Sequence, residues 1–162
     1  IFDMLKGAFI IVVVRLIGDT SLFLVGPHDL NFSSLYGLAA VLGHVYPVYL
    51  KFKGGKAVAT SCGMILAIEP WVAIGIIVVF IIVFLKTRYV SVSSTFSAAV
   101  ILIYFIVRVF FEHELYNLPT RLMDLGVIII LGGLIFIRHK PNYERLKRGT
   151  EFRFLPRRHK NK

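Results

Sequence analysis

The chain has 162 residues, of which 57% are hydrophobic and only 17% charged, and its mean hydropathy is +0.76. A soluble domain carries about 25% charged residues, and a chain this short has no interior large enough to hide so many Ile, Val, Leu and Phe side chains. The hydrophobic runs are too long for core strands and lack the polar alternation of a half-buried sheet, which argues against a buried α/β core. The expected class is all-α: a polytopic membrane helix bundle, one integral membrane domain over residues 1–162, with 138–162 as a basic cytoplasmic tail. The single cysteine, Cys62, excludes an intramolecular disulfide framework and a cysteine-based zinc site. Ile1 already lies inside a hydrophobic pattern, with no charged n-region or cleavage site before it. The start therefore reads as a chain whose beginning is missing rather than as a signal peptide.

In chain order, six hydrophobic segments are predicted, at roughly 6–25, 34–50, 57–68, 70–85, 92–111 and 120–137. A full crossing takes about 20 helical residues, with about 17 as the low end. Two or three segments qualify. Segment 57–68 rises only about 18 Å and is expected to be tilted or partly inserted. Glu69-Pro70 separates it from the next, because proline cannot continue the hydrogen bonding of a preceding helix. Charge tests whether that break is a reversal. Lys6, the Lys51/Lys53/Lys56 cluster, Lys86 with Arg88, and the tail from Arg138 all fall on one face if two segments separate each consecutive pair. The positive-inside rule makes that face cytoplasmic. The opposite loops then hold Asp19, Asp29, Glu69, Glu112, Glu114 and Asp124 against Arg121 alone. Arg15 and Arg108, inside hydrophobic segments near their outer ends, are read as snorkelling side chains.

Four stretches carry candidate chemistry, all on the cytoplasmic face. The first, residues 43–60, places Lys51, Lys53 and Lys56 around Gly54-Gly55, immediately before an apolar segment. Glycines let backbone N–H groups approach a ligand closely, and a helix N-terminus favours an anion. The pattern reads either as a phosphate cradle or as a positive-inside loop with a glycine turn. A Walker A loop is disfavoured: no glycine stands five residues before Gly55-Lys56, and Ala57 replaces the metal-binding Ser/Thr. In the second stretch, residues 138–151, His139, Asn142 and Arg145 are three apart and would share one helix face. That face suits a phosphate and a hydroxyl, and Glu151 could orient a hydroxyl or hold His139. In the third, residues 86–94, Arg88 is a further anion contact and Ser91 either another or a cap for the helix starting near residue 92. The fourth is Asp3-Met-Leu-Lys6-Gly7, where Asp3 and Lys6 are spaced for a local ion pair. His44 is read as a packing or hydrogen-bonding histidine.

Those stretches, in that order, resemble the bacterial acyl-phosphate:glycerol-3-phosphate acyltransferase family. The match rests on Gly43-His44, Pro47-Val48 and Lys51-Phe-Lys-Gly-Gly-Lys56 followed by Val58-Ala-Thr60, with Ala57 where the family usually has glycine. Arg138-His139, Asn142, Arg145-Leu146 and Gly149-Thr-Glu151 match the C-terminal motif, and Arg88-Tyr-Val-Ser91 and Asp3, Lys6-Gly7 also fit. The resemblance implies an enzyme of the bacterial inner membrane that moves a fatty acyl group from acyl phosphate to the 1-hydroxyl of glycerol 3-phosphate, giving lysophosphatidic acid and phosphate. It implies phosphate binding by Gly54, Gly55 and Lys56 with Lys53 and Arg88 in support, and orientation of glycerol 3-phosphate by His139 and Asn142, with Glu151 supporting His139. Arg145 and Ser91 complete the substrate-binding set. Either His139 or the donor phosphate takes the hydroxyl proton. No cofactor or metal is expected, and the partners are the two substrates and the bilayer, not nucleic acid. Family members begin with a further membrane segment and a Gly/Ser/Asn-rich loop that this sequence does not show. The competing classes are accordingly a transporter of a phosphorylated solute, which basic residues at one face of six crossings would allow, and an inactive remnant of the acyltransferase.

Overall fold

The computed structural model describes residues 1–17, 24–25, 30–111 and 118–154. Among them are six α-helices: α1 (Phe2–Ile17), α2 (Ser33–Val45), α3 (Val58–Ile68), α4 (Pro70–Thr87), α5 (Val90–Phe111) and α6 (Leu118–Lys147). Three of these, α4, α5 and α6, are long and apolar enough to cross a membrane. The all-α membrane bundle expected from composition is thus the architecture found. The only described strands are β1 (Leu24–Val25) and β2 (Leu30–Asn31), an antiparallel pair with Leu24 opposite Asn31 and Val25 opposite Leu30.

Three segment boundaries differ from the hydropathy reading. The first hydrophobic segment runs to roughly residue 25; the described helix there is Phe2–Ile17, and Leu24–Val25 is strand. The second was expected to reach residue 50, but α2 stops at Val45. Pro47 disfavours helical backbone in the residue before it, and Tyr46 accordingly leaves the helical region, followed by a single 3-10 turn over Val48–Leu50. The last does not stop near residue 137. Helix α6 continues through Pro141 to Lys147, and Gly149, with φ of 70°, supplies the left-handed residue that ends it. Its last turns carry buried His139 and Asn142, so this part of the basic tail is packed helix.

Helix α3 is short and central. Its eleven residues rise about 16 Å, it packs against α1, α2 and α4, and Thr60, Ser61, Gly63, Met64, Ile65 and Ala67 are buried. Its approach to α1 is backbone to backbone: a Cβ at Gly7 would overlap the Thr60 carbonyl, and one at Gly63 would overlap the Met4 carbonyl. Small residues permit such close helix contacts in membranes, which accounts for Gly7 in the Asp3–Gly7 stretch. Helix α4 is the opposite case. Only Ala73 along it is buried, so most of its circumference is left for lipid.

Helices α4, α5 and α6 alternate in direction. Glu69, at the start of α4, pairs with Arg108 near the end of α5, and Glu151, just beyond α6, bonds Ser91 at the start of α5. Val58 and Cys62 of early α3 line the same cavity as Ile77 and Phe80 of late α4, so Glu69-Pro70 is a reversal as well. The pairing also corrects the reading of Arg108: its guanidinium does not snorkel freely but meets the Glu69 carboxylate, which also accepts a hydrogen bond from the Tyr104 hydroxyl at 3.2 Å. Arg121, expected in a loop, is buried in α6 and donates to the Arg108 carbonyl at 3.5 Å. The Arg15 side chain and Asp19, Asp29, Glu112 and Glu114 lie outside the described residues.

The α1–α3 contact makes a direct prediction. Gly7→Ala or Gly63→Ala should lower the thermal midpoint of the detergent-solubilised protein, each costing about 1–3 kcal/mol through forced separation of the helices. Gly75→Ala, where a Cβ meets nothing within 4 Å, should hold or slightly raise it.

Candidate functional site

The four motifs converge at one end of the bundle around an open cleft of about 550 Å³. It is lined by Asp3, His44, Gly55, Lys56 and His139 on its polar side and by apolar residues including Cys62, Ile77 and Phe80. Asp3 bonds Lys6 at 3.3 Å, the local pair expected from spacing, and the same oxygen lies 3.6 Å from His44 Nδ1.

The glycine pair works differently from the sequence expectation. The Gly54 and Gly55 amides are not free for an anion: they donate to the carbonyls of Val45 (3.1 Å) and His44 (3.3 Å). Neither glycine has positive φ. What they provide is room, since a Cβ on Gly54 would overlap the His44 carbonyl and one on Gly55 the His44 imidazole. His44 is thus a packing residue seated against the turn. The carbonyls of the pair are held from α6, where Arg138 donates through Nε to Gly55 (3.1 Å) and through Nη2 to Gly54 (2.6 Å). The Arg138 guanidinium also lies 5.9 Å from the Tyr46 ring centroid. Sequence reasoning did not assign Arg138 a role, although its place beside His139 was a signal.

The anion-binding groups that remain are Lys56, exposed at the cleft, and the first turn of α3. No side chain caps that helix, so its opening amides carry the partial positive charge of a helix start. Ala57, the residue before it, is buried with φ of 70°. That is a left-handed position at which glycine avoids a steric cost. Lys53 is exposed, and neither it nor Arg88 lines the cleft. Arg88 ends α4 in the left-handed region, and its carbonyl accepts the Phe154 amide at 2.9 Å.

The second cluster sits on the last turns of α6. His139, 2% exposed, has Nδ1 2.8 Å from the Ile135 carbonyl. A carbonyl only accepts, so Nδ1 carries the proton and Nε2 is the acceptor nitrogen of the neutral ring. One turn on, Asn142 donates through Nδ2 to Glu151 at 2.7 Å, while its buried Oδ1 has no protein partner. Glu151 also accepts from Ser91 Oγ at 2.9 Å and from Arg145 Nε at 2.8 Å. The expectation that Glu151 holds His139 is therefore corrected. No hydrogen bond joins them, and the carboxylate instead ties α5 to α6 through Ser91, Asn142 and Arg145. Ser91 caps no helix and meets Glu151, because α5 begins at Val90 rather than near residue 92. The segment after Glu151 is pinned by the Phe154 amide on Arg88 and by Phe154 packed edge-on against Phe84, centroids 5.7 Å apart.

Residues 1–149 match the family model described as glycerol-3-phosphate acyltransferase. Among curated relatives, the glycerol-3-phosphate acyltransferases of Enterococcus faecalis and Acholeplasma laidlawii are 42% and 33% identical over 155 and 159 residues. The matches cover 94% and 93% of this chain but 66% and 68% of those relatives. The chain therefore spans about two thirds of their length. Two crystal structures of PlsY (YgiH), an integral membrane glycerol 3-phosphate acyltransferase, in its lysophosphatidic acid and glycerol 3-phosphate forms, superpose with TM-scores of 0.71 and 0.70. They share 35% and 34% identity, and the matches cover 94% of this chain and 69% and 68% of those chains.

The Glu151 cluster makes stability depend on pH. Burial opposes ionisation of Glu151, but hydrogen bonds from Asn142, Ser91 and Arg145 outweigh it and hold the carboxyl below its ordinary value of 4.5. A lowered folded-state pKa contributes stability that is present above pH 4.5 and lost as pH falls through the folded value. Thermal midpoints measured from pH 7 downwards should fall over that acidic range in the unsubstituted protein. In Glu151→Gln that component should be absent and the midpoint at neutral pH already lower.

Proposed function

The chain belongs to the glycerol-3-phosphate acyltransferase family, and from that premise we propose that it transfers a fatty acyl group from acyl phosphate to the 1-hydroxyl of glycerol 3-phosphate. The observation that carries this reading is the meeting of three chemistries in one cleft: a cationic anion site at Lys56 and the start of α3, the acceptor Nε2 of His139, and an apolar lining beside both, with the buried, unpartnered Oδ1 of Asn142 one turn further along α6. The anion site suits the phosphate groups of both substrates. The acceptors suit the attacking hydroxyl, and the wall suits an acyl chain that stays in the bilayer's apolar region. With its motif end facing the cytoplasm, the protein meets glycerol 3-phosphate from water and the acyl chain from lipid.

In the reaction, the 1-hydroxyl oxygen attacks the acyl carbonyl carbon. A carbon–oxygen ester bond forms, the bond between that carbon and the phosphate oxygen breaks, and phosphate departs with the electron pair. The hydroxyl proton ends on the released phosphate, either directly or by way of His139 Nε2. The donor is already activated, so the protein's task is to hold two anions together and align hydroxyl with carbonyl. His139 and Asn142 touch the nucleophile in this arrangement. Glu151 acts through Asn142 as a positioning residue, held by Ser91 and Arg145.

Membranes containing the chain, incubated with palmitoyl phosphate and labelled glycerol 3-phosphate, should form labelled lysophosphatidic acid and phosphate in equal amounts. Uptake of label into vesicles with no lipid product would instead identify a transporter and overturn the proposal. His139→Ala and Asn142→Ala should each lower kcat/KM for glycerol 3-phosphate by about two orders of magnitude, the scale of a lost general acid–base or orienting contact.

A further inference from the structure

The cleft continues inward from its apolar wall. A smaller cavity of about 90 Å³ lies among α3, α4, α5 and α6. It shares Val58, Cys62, Ile77, Phe80 and Ser94 with the cleft, so the two form one path from the phosphate site into the bundle. Along α5 the path runs from Ser94 to Ile101, seven residues or about 10 Å. Space is available because Ser61, Ser97 and Ala98 are small, while Ile65, Ile101 and Ile135 close the far end. The Ser94 hydroxyl is folded back onto the Val90 carbonyl at 2.9 Å. The hydroxyls of Ser61 and Ser97 are buried without a protein partner, and apart from the Cys62 thiol the rest of the lining is aliphatic or aromatic.

We propose that this cavity receives the end of the donor's acyl chain and sets the chain length the protein prefers. The inference rests on the reading of the cleft as an acyl-phosphate site. With the phosphate at Lys56 and the α3 N-terminus, an unbranched apolar chain leaving the carbonyl has a continuous apolar path to follow, and this cavity is where the path closes. The space takes on the order of three methylene-sized groups. A chain two or three carbons short stops in the wider cleft and loses that burial. A chain too long meets Ile101 and Ile135. Each terminal carbon that gains or loses a place there exchanges loose lipid contacts for packed ones, so the expected change in kcat/KM per carbon is modest, about twofold.

The experiment uses acyl phosphates graded from decanoyl to stearoyl with membranes containing the chain, and reads the ratio of kcat/KM for long donors to that for short ones. Ser97→Leu and Ala98→Leu, which fill the cavity, should lower that ratio about five- to tenfold through lost packing and overpacking while KM for glycerol 3-phosphate holds. Ile101→Ala, which removes bulk at the closed end, should shift the optimum to longer chains and keeps the test alive if a filling variant does not fold. An unchanged ratio in folded variants, as a water-filled cavity would give, or an equal loss for every chain length, overturns the length-setting role while leaving the acyltransfer reading intact. An unsubstituted chain that yields no lysophosphatidic acid from any donor overturns that reading, and this one with it.

Discussion

An eleven-residue helix rises about 16 Å, roughly half the ~30 Å hydrocarbon thickness of a bilayer, and the arrangement of the motif end follows from how α3 is accommodated. Packed beside helices long enough to cross, α3 has to begin or end short of a membrane surface. Its far end is tied near the ends of the bundle by the Glu69–Arg108 pair, so its start is the recessed end. Unpaired amides facing hydrocarbon would cost several kcal/mol each. The start of α3 therefore needs polar surroundings below the surface, and Lys56, His44 and His139 line the cleft beside it. A polar pocket beside apolar walls is thus a consequence of one short helix.

That pocket is held from several sides by contacts that reach across the sequence. Arg138 on α6 grips the carbonyls of the Gly54-Gly55 turn, the turn's amides are bound to the end of α2, and His44 fills the space that the missing Cβ atoms leave. Glu151 gathers Ser91 of α5 with Asn142 and Arg145 of α6. Hydrogen bonds to charged groups are the stronger class, about 1.5–3 kcal/mol each when sheltered. Both clusters are built around one charge that receives or donates several of them. The motifs therefore act as one framework with two carriers, the Arg138 guanidinium and the Glu151 carboxylate.

Much of this was readable from residues alone. Composition sets the all-α membrane class, charge placement reveals the Glu69-Pro70 reversal, and the three-residue spacing of His139 and Asn142 puts both on one buried face. What the sequence could not convey was who bonds whom. Gly54-Gly55 looks identical whether its amides face a ligand or a carbonyl, and only the position of His44 distinguishes the two. Glu151 is nine residues from Asn142 but sixty from Ser91, so a local reading attached it to a histidine it does not bond. Helix ends were misjudged for the same reason. Hydropathy sees Ile137 as the last apolar residue of the run, whereas α6 continues because His139 and Asn142 have neighbours to pack against.

The Glu69–Arg108 contact also bears on how the chain enters a membrane during synthesis. The partners are 39 residues apart, so Glu69 is made and offered to the bilayer before Arg108 exists to meet it. Charged groups inside the hydrocarbon are costly until paired. Helix α4, with scarcely any buried surface of its own, packs against α3 before it and α5 after it. The Glu69–Arg108 pair can therefore close the α4–α5 hairpin only once its second arm is complete.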